Sequence, residues 1–148
     1  MEDQNDTSTP STLGVTLFSF GFKHGVPVDA TFLFDVRFLP NPYWEEHLRH
    51  QSGREKEISE FVVGSEPGTR FRSLFEPLLV FVAEQLQEGG KKTARIGIGC
   101  TGGRHRSVAV VEALAETLRK NPLLNVDVFH RDIERSASPT GTEFFSRI

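Results

Sequence analysis

A glycine-rich stretch, residues 97–107, carries the side chains with the clearest chemical potential. Gly102 and Gly103 allow the main chain to turn successive N–H groups into one concave surface, which is a typical anion site. A helix that starts after them adds its positive end. The flanking side chains supply further donors: the cations Arg104, His105 and Arg106 and the hydroxyls of Thr101 and Ser107. The pattern predicts a site for a small phosphorylated ligand.

Two nucleotide motifs overlap this stretch, and neither fits well. Gly97-x-Gly99-x-x-Gly102 matches the dinucleotide fingerprint, but only one further strand follows it in the sequence. The acidic residue at the expected distance, Glu116, falls inside a predicted helix instead of at a strand end. The Walker pattern fails because Gly103 follows Gly102 where lysine is required.

A cysteine-dependent phosphatase is the alternative enzyme class. Cys100, five residues, then Arg106 and Ser107 resembles the spacing in those enzymes, where the thiolate attacks phosphorus and the arginine holds the transferred group. Gly99 stands where such enzymes carry histidine, and no aspartate occurs between residues 50 and 100 to act as general acid. We therefore assign no catalytic residue and expect a binding protein, with Cys100 and Arg106 as the catalytic pair of the alternative.

The elements that position the stretch follow from the hydrophobic pattern. Apolar runs predict strands at 15–20, 31–36, 93–99 and 126–130, and helices are predicted at 44–50, 55–63, 69–87 and 106–120. The third helix carries Pro77, which predicts a kink or two abutting helices. Its expected core stripe consists of Phe71, Leu74, Phe75, Leu78, Val82 and Leu86. Alternating strands and helices indicate an α/β fold, a mostly parallel sheet of about four strands with helices on both faces.

Composition bounds the function classes. With 148 residues, the chain has the length of one domain, and its net charge of −3 argues against broad nucleic-acid binding. A single cysteine excludes a disulfide framework and a four-cysteine zinc site, so we expect a cytoplasmic protein without a metal. No apolar stretch approaches the roughly 20 residues that a membrane helix needs, so we expect no membrane segment, and we expect no cofactor. Residues 1–13 are predicted to form a disordered acidic leader. Residues 133–148 are expected to form a tail that docks through Phe144 and Phe145. The sequence does not determine the oligomeric state, and a homo-oligomer is one of the alternatives.

Three long segments resemble the C-terminal domain of the RapZ family of RNase adapter proteins. They read SFGFKHG at 19–25, FDVRFLPNP at 34–42 and IGCTGGRHRSV at 98–108, with His130-Arg131 following in the same order. The resemblance covers about residues 14–132. It implies a fold like a phosphofructokinase subdomain and a site for glucosamine-6-phosphate. The residues at matching positions are Lys23, His24, Asp35, Cys100, Thr101, Gly102 and Arg106.

Other polar residues are assigned to the same site as expectations. Asp35 can accept hydrogen bonds from sugar hydroxyls or an amine, and Arg37 can pair with it. Tyr43 stands where some RapZ members have histidine, and His130 is expected to contact an anion or the tail.

RNA binding is the alternative function that the resemblance implies. RapZ proteins bind small regulatory RNAs and carry an N-terminal domain like a P-loop kinase, for which this sequence has no counterpart, so a stand-alone domain is expected. RNA-binding members end in a basic run, whereas this chain continues after Arg131 with Asp132-Ile-Glu. An acidic leader also repels phosphate backbones. Sugar-phosphate binding is therefore the primary expectation.

Overall fold

The computed structural model describes residues 12–135, so most of the expected leader and the tail residues Phe144 and Phe145 lie outside it. The strands are β1 (Leu13–Gly21), β2 (Phe32–Asp35), β3 (Thr93–Cys100) and β4 (Leu124–His130). The helices are α1 (Lys56–Val62), α2 (Glu66–Glu88) and α3 (Arg106–Leu118), with short 3₁₀ turns at Phe22–His24 and Pro42–Trp44. No helix within residues 12–135 is long and apolar enough to cross a membrane.

The four strands form one parallel sheet in the order β2-β3-β1-β4, which confirms the predicted α/β class. Gly21 pairs with Cys100, Ser19 with His130 and Asp35 with Gly99 in the register of neighbouring strands. The carboxyl ends of all four strands therefore meet at one edge of the sheet. Ligands collect at this edge in parallel sheets, and the glycine-rich stretch begins there.

Helices cover one face of the sheet, and aromatic side chains cover the other, where the sequence analysis expected helices as well. Both helical connections, β2 to β3 and β3 to β4, run across the sheet in the same direction. Right-handed crossovers that run in one direction place their helices on the same face. On the opposite face the rings of Phe18 and Phe129 stack 5.0 Å apart, with the guanidinium of Arg95 over Phe18.

Helix α2 is one continuous helix of 23 residues that contains Pro77, in place of the two abutting helices allowed above. Its first turn is capped by Ser65, whose Oγ accepts from the N–H of Gly68 at 3.0 Å. The predicted core stripe is wrong in part: Phe75 is buried as expected, but Leu74 is 68% exposed and Leu78 is 46% exposed. The buried positions are four residues apart, at Phe75, Leu79 and Ala83, because this side faces α3 and the sheet.

The short helix predicted at 44–50 is also wrong. The chain forms the 3₁₀ turn Pro42–Trp44, which starts at Asn41, whose side chain accepts from the N–H of Tyr43. Isolated turns follow, such as the bond from the N–H of Leu48 to the carbonyl of Glu45. These turns do not extend into an α-helix. An α-helix needs a continuous series of hydrogen bonds from the N–H of each residue to the carbonyl four residues earlier.

The corrected orientation of α2 can be tested with two of its leucines, one buried and one exposed. Leu79→Ala should lower the free energy of unfolding by about 2–5 kcal/mol, because it removes a buried side chain and leaves a cavity. Leu74→Ala should change it by less than about 0.5 kcal/mol, because that side chain is mostly in water. Urea unfolding of dilute protein measures both values. A larger loss for Leu74→Ala than for Leu79→Ala would refute the orientation.

Candidate functional site

The candidate site is the loop of residues 101–105, which joins the carboxyl end of β3 to the start of α3. Gly103 adopts φ +79°, a left-handed conformation that favours glycine. A side chain at Gly21 would place its Cβ only 2.4 Å from the main chain of Gly102, and one at Gly103 would lie 2.6 Å from the nitrogen of Gly21. The main chain at the end of β1 therefore packs directly against the main chain of the loop, and this contact fixes the conformation of the loop.

Three successive main-chain N–H groups of this loop have no acceptor. Within residues 12–135, the N–H groups of Gly103, Arg104 and His105 donate no hydrogen bond. They immediately precede the first turn of α3, whose dipole adds partial positive charge at the same place. Buried N–H groups in folded proteins are almost always paired, so three unpaired ones in sequence can donate to an acceptor that the described residues do not supply.

The cationic side chains of the loop bind carbonyl groups of neighbouring segments. Arg106 donates through Nη1 to the carbonyl oxygens of Arg37 at 2.6 Å and Leu39 at 3.3 Å, and Nη2 lies 3.4 Å from Oγ1 of Thr101. Nη1 of Arg104 donates to the carbonyl of Ile133 at 2.9 Å, and its other terminal nitrogen donates to that of His50. These side chains clamp the surrounding loops, and they bring positive charge close to the unpaired amides.

His105 is held in the same manner. Its Nε2 lies 2.9 Å from the carbonyl of Arg49, so that nitrogen carries the hydrogen. Burial lowers the pKa of His105 from 6.5 to about 4, and the nearby Arg104 charge adds to the shift. His105 is therefore neutral near pH 7 and supplies a main-chain N–H, not a positive charge, to the site.

Asp35 and Arg37 form a bidentate ion pair beside the loop. Nη2 of Arg37 lies 2.6 Å from Oδ2 of Asp35, and its Nε lies 2.9 Å from Oδ1. These bonds hold the pKa of Asp35 below its usual range. The Arg37 guanidinium also stacks 4.2 Å from the ring centre of Phe22, and the carbonyl of Arg37 accepts from Arg106. Asp35 is thus ionised and lies close to the loop.

Asp132 is a site residue that the sequence analysis missed. Its carboxylate is fully buried and accepts the N–H of Gly21 at 2.8 Å. Arg131 contacts it at 2.8 Å and Arg135 at 3.3 Å, so two guanidinium groups neutralise the buried charge. A Cβ on Gly103 would lie 3.0 Å from Cβ of Asp132. The signal in the sequence was an aspartate directly after His130-Arg131, at the end of a buried strand.

Lys23 and His24 lie next to the loop, as the sequence analysis expected of a functional segment. The N–H of Lys23 donates to the carbonyl of Thr101 at 3.1 Å. Nε2 of His24 is buried, and within residues 12–135 it has no hydrogen-bond partner. Burial is the main cause that lowers the pKa of His24, which leaves a neutral imidazole with one unsatisfied nitrogen.

Cys100 lies beneath the loop on the helix-facing side of the sheet. It is 3% exposed, and its Sγ lies 3.1 Å from Oγ of Ser107 and accepts from the N–H of Ser107 at 3.3 Å. The side chains of Cys100 and Ser107 are thus hydrogen-bonded to each other in the interior. A phosphatase nucleophile must reach its substrate, and this thiol does not reach solvent.

Two other expected residues have partners away from the loop. Tyr43 lies under the guanidinium of Arg49, with the ring centre 5.0 Å away. His130 lies between Oγ of Ser19 and the carboxylate of Glu112, 2.7 Å from each, on the helix-facing side of the sheet. Within the described residues, no group of three histidine, cysteine or carboxylate side chains could hold a metal ion.

Comparison with known proteins gives one consistent result. The family model described as the RapZ C-terminal domain matches residues 13–134. A nucleotide-binding protein of Mycobacterium ulcerans (strain Agy99) is 47% identical over 121 residues, which cover 82% of this chain and 40% of that protein. A nucleotide-binding protein of Caldicellulosiruptor saccharolyticus (strain ATCC 43494 / DSM 8903 / Tp8T 6331) is 44% identical over 124 residues, which cover 84% and 42%. The chain spans about two fifths of the length of these curated relatives.

Substitution of Gly103 tests the close contact between the loop and β1. Gly103→Ala should destabilise the protein by at least about 1 kcal/mol more than Gly25→Ala, measured by urea unfolding. Both glycines have positive φ, so both substitutions strain the main chain, but a Cβ at Gly25 meets nothing within 4 Å. Equal losses would show that the loop can move away from Gly21.

The buried neutral His105 makes stability depend on pH. Its folded-state pKa of about 4 lies below the ordinary 6.5, so between these values the unfolded chain binds more protons. Stability should therefore rise as pH increases from 4 to 6.5, with His105 contributing about 2–3 kcal/mol. His105→Gln, whose amide can still donate to the Arg49 carbonyl, should flatten this rise. The exposed control His47→Gln should leave the profile unchanged, and an equal slope in both variants would exclude the assignment.

Proposed function

The chain belongs to the RapZ C-terminal domain family, and from this premise we propose that it binds an amino-sugar phosphate such as glucosamine-6-phosphate at the loop of residues 101–105. The phosphoryl group would occupy the donor set before α3, and the sugar would extend toward His24 and Asp35. Binding or sensing of the ligand is the proposed activity, without chemical conversion.

The observation that carries the proposal is the set of three unpaired N–H groups at Gly103, Arg104 and His105. A phosphate monoester presents three acceptor oxygens and nearly two negative charges, which match successive amides at a helix start. A sugar without phosphate offers no comparable acceptor cluster. The main chain of the loop therefore selects for the phosphoryl group.

Charge near the loop favours an anion. Burial lowers the pKa of the Arg106 guanidinium, but arginine keeps its positive charge in proteins because its ordinary pKa lies far above neutral pH. The carboxylates of Asp35 and Asp132 are already paired with arginines, so their repulsion is reduced. Charge-assisted hydrogen bonds contribute about 1.5–3 kcal/mol each. Three of them, reduced by the cost of immobilising the ligand, are consistent with a dissociation constant of about 1 μM to 1 mM.

The sugar end of the proposed pocket rests on His24. Its buried Nε2 has no partner within residues 12–135, and an unsatisfied buried nitrogen costs about 1–3 kcal/mol. A sugar hydroxyl can remove this cost by donating to the nitrogen or accepting from it. Asp35, ionised and paired on one side with Arg37, offers remaining lone pairs for an amine or hydroxyl.

The names of the relatives extend the range of ligands to be tested. They are called nucleotide-binding proteins, and this chain covers about two fifths of them. A nucleotide and a sugar phosphate share the phosphoryl group, so both are candidates for the same donor set. RNA binding of the RapZ type is the competing proposal. A phosphatase is disfavoured because the thiol of Cys100 is buried.

Calorimetry with matched ligands and a His24 variant tests the proposal. Glucosamine-6-phosphate should bind at least about tenfold more tightly than glucosamine, because only the former reaches the loop amides. His24→Phe should weaken glucosamine-6-phosphate about tenfold, yet keep or raise the melting temperature, because it removes an unsatisfied polar atom. His24→Gln, whose amide nitrogen replaces Nε2, should retain part of the affinity.

The controls distinguish an error in the proposed ligand from an error in the proposed site. His47→Phe, at an exposed position, should not change the affinity. Tighter binding of adenosine monophosphate than of glucosamine-6-phosphate would keep the phosphate site but reject the amino sugar. Equal affinity for glucosamine and its phosphate would refute the site itself. Salt-sensitive gel shifts with structured RNA, without binding of any small phosphate, would favour the RNA alternative.

A further inference from the structure

The two halves of the proposed site are held by different parts of the chain. The loop of residues 101–105 is fixed by its contact with the end of β1. The segment of residues 22–25, which carries His24, is joined to the loop by a hydrogen bond from the N–H of Lys23 to the carbonyl of Thr101 at 3.1 Å. This bond lies before His24 in the chain. The position of His24 therefore also depends on what holds the segment after it.

Arg131, directly after β4, supplies the contact on that side. Its Nη2 donates to the carbonyl of Gly25 at 2.6 Å and lies 3.3 Å from the carbonyl of His24. The peptide group between His24 and Gly25 is held at its other end as well, because its N–H donates to the carbonyl of Phe22 at 3.1 Å. Hydrogen bonds thus hold the main chain on both sides of His24, to the loop before it and to Arg131 after it.

A buried carboxylate holds the Arg131 guanidinium in place. Nε of Arg131 lies 3.1 Å from each carboxylate oxygen of Asp132, and Nη2 lies 2.8 Å from Oδ2. Asp132 is fully buried, so its charge requires a close cationic partner, and such charge-assisted bonds are short and directional. Arg131 therefore has two roles in one planar group. It compensates the buried charge, and it donates to two carbonyls of the segment of residues 22–25.

The second arginine beside Asp132 has only the first of these roles. Nη1 of Arg135 lies 3.3 Å from Oδ1 of Asp132. Within residues 12–135, the Arg135 side chain donates to no carbonyl of the segment of residues 22–25. Its side chain is 58% exposed, against 29% for Arg131. The two arginines thus bring the same charge to one carboxylate, with and without a contact to the segment that carries His24.

We propose that Arg131 is a positioning residue of the site: it holds His24 beside the loop and thereby sets the preference for a phosphorylated sugar over bare phosphate. The loop amides bind the phosphoryl group and His24 the sugar in the proposed function, on which this role of Arg131 rests. Asp132, not Arg131, contacts Gly21, so a residue that keeps the charge beside Asp132 leaves the phosphate half intact. The sugar half needs the guanidinium itself, because an ammonium group does not reproduce the planar fork that serves the carboxylate and both carbonyls.

Arg131→Lys tests this role, with Arg135→Lys as the matched control. In calorimetry of the full chain, Arg131→Lys should bind glucosamine-6-phosphate about three- to tenfold more weakly than the wild type, because His24 is no longer held. Inorganic phosphate should bind the wild type and both variants within about twofold, because the loop amides are unchanged. Arg135→Lys should keep both affinities within about twofold. Wild-type affinity of Arg131→Lys for glucosamine-6-phosphate, or an equal loss for inorganic phosphate, would overturn the proposal.

Amide hydrogen exchange without ligand distinguishes a failure of this role from a failure of the proposed function. The N–H of Gly25 should exchange at least about threefold faster in Arg131→Lys than in the wild type or in Arg135→Lys, because its peptide group loses the guanidinium contact. If the wild-type chain binds neither ligand, the proposed function fails, and faster exchange at Gly25 would still support the positioning role. Unchanged exchange at Gly25 in a chain that binds glucosamine-6-phosphate would reject the positioning role and leave the proposed function standing.

Discussion

The site depends on one steric constraint, the contact of main chain with main chain where β1 ends against the loop. Gly21 touches Gly102 and Gly103 at distances that leave no room for a Cβ on either side. Such an approach buries the N–H of Gly21, which then needs an acceptor inside the protein. Asp132 satisfies the N–H of Gly21 from the end of β4, and Arg131 and Arg135 compensate its charge. One buried carboxylate thereby ties the ends of two strands to the loop.

The cations beside the loop mainly hold main-chain segments in place. Arg104, His105 and Arg106 donate to carbonyls at His50, Arg49 and Arg37, which lie far from them in the sequence. Because these donors are engaged, they cannot fold over the neighbouring amides, and the N–H groups stay open. The side chains fix the loop, the main chain offers the N–H groups proposed to bind an anion, and the remaining positive charge acts through space.

Much of the fold could be predicted from the sequence, because each strand is a short apolar run between glycines or polar residues. The same applies to the loop, whose glycines and helix start are local signals. Side-chain roles were less predictable. Arg104 and His105 read as ligand donors, but their carbonyl partners come from residues 49–50, over 50 positions away. Asp132 was missed because its partner Gly21 lies 111 residues earlier. Helix α2 carries apolar residues on its buried side and on its exposed side. Hydrophobic periodicity gives the spacing of such residues but does not show which side packs against the sheet.

Residues 37–39 connect the first residue of α3 with helix α2. The carbonyls of Arg37 and Leu39 accept hydrogen bonds from Arg106, and Phe38 between them turns outward to contact Phe71 of α2. The N–H of Leu39 donates to the carbonyl of Val36 at 3.1 Å, so these residues form a tight turn that directs two carbonyl groups to Arg106 and the Phe38 ring to α2. The position of the Arg106 guanidinium and the position of the Phe38 ring are therefore set by the same peptide groups. A ligand that moves the Arg106 guanidinium would therefore also act on the peptide groups that hold the Phe38 ring.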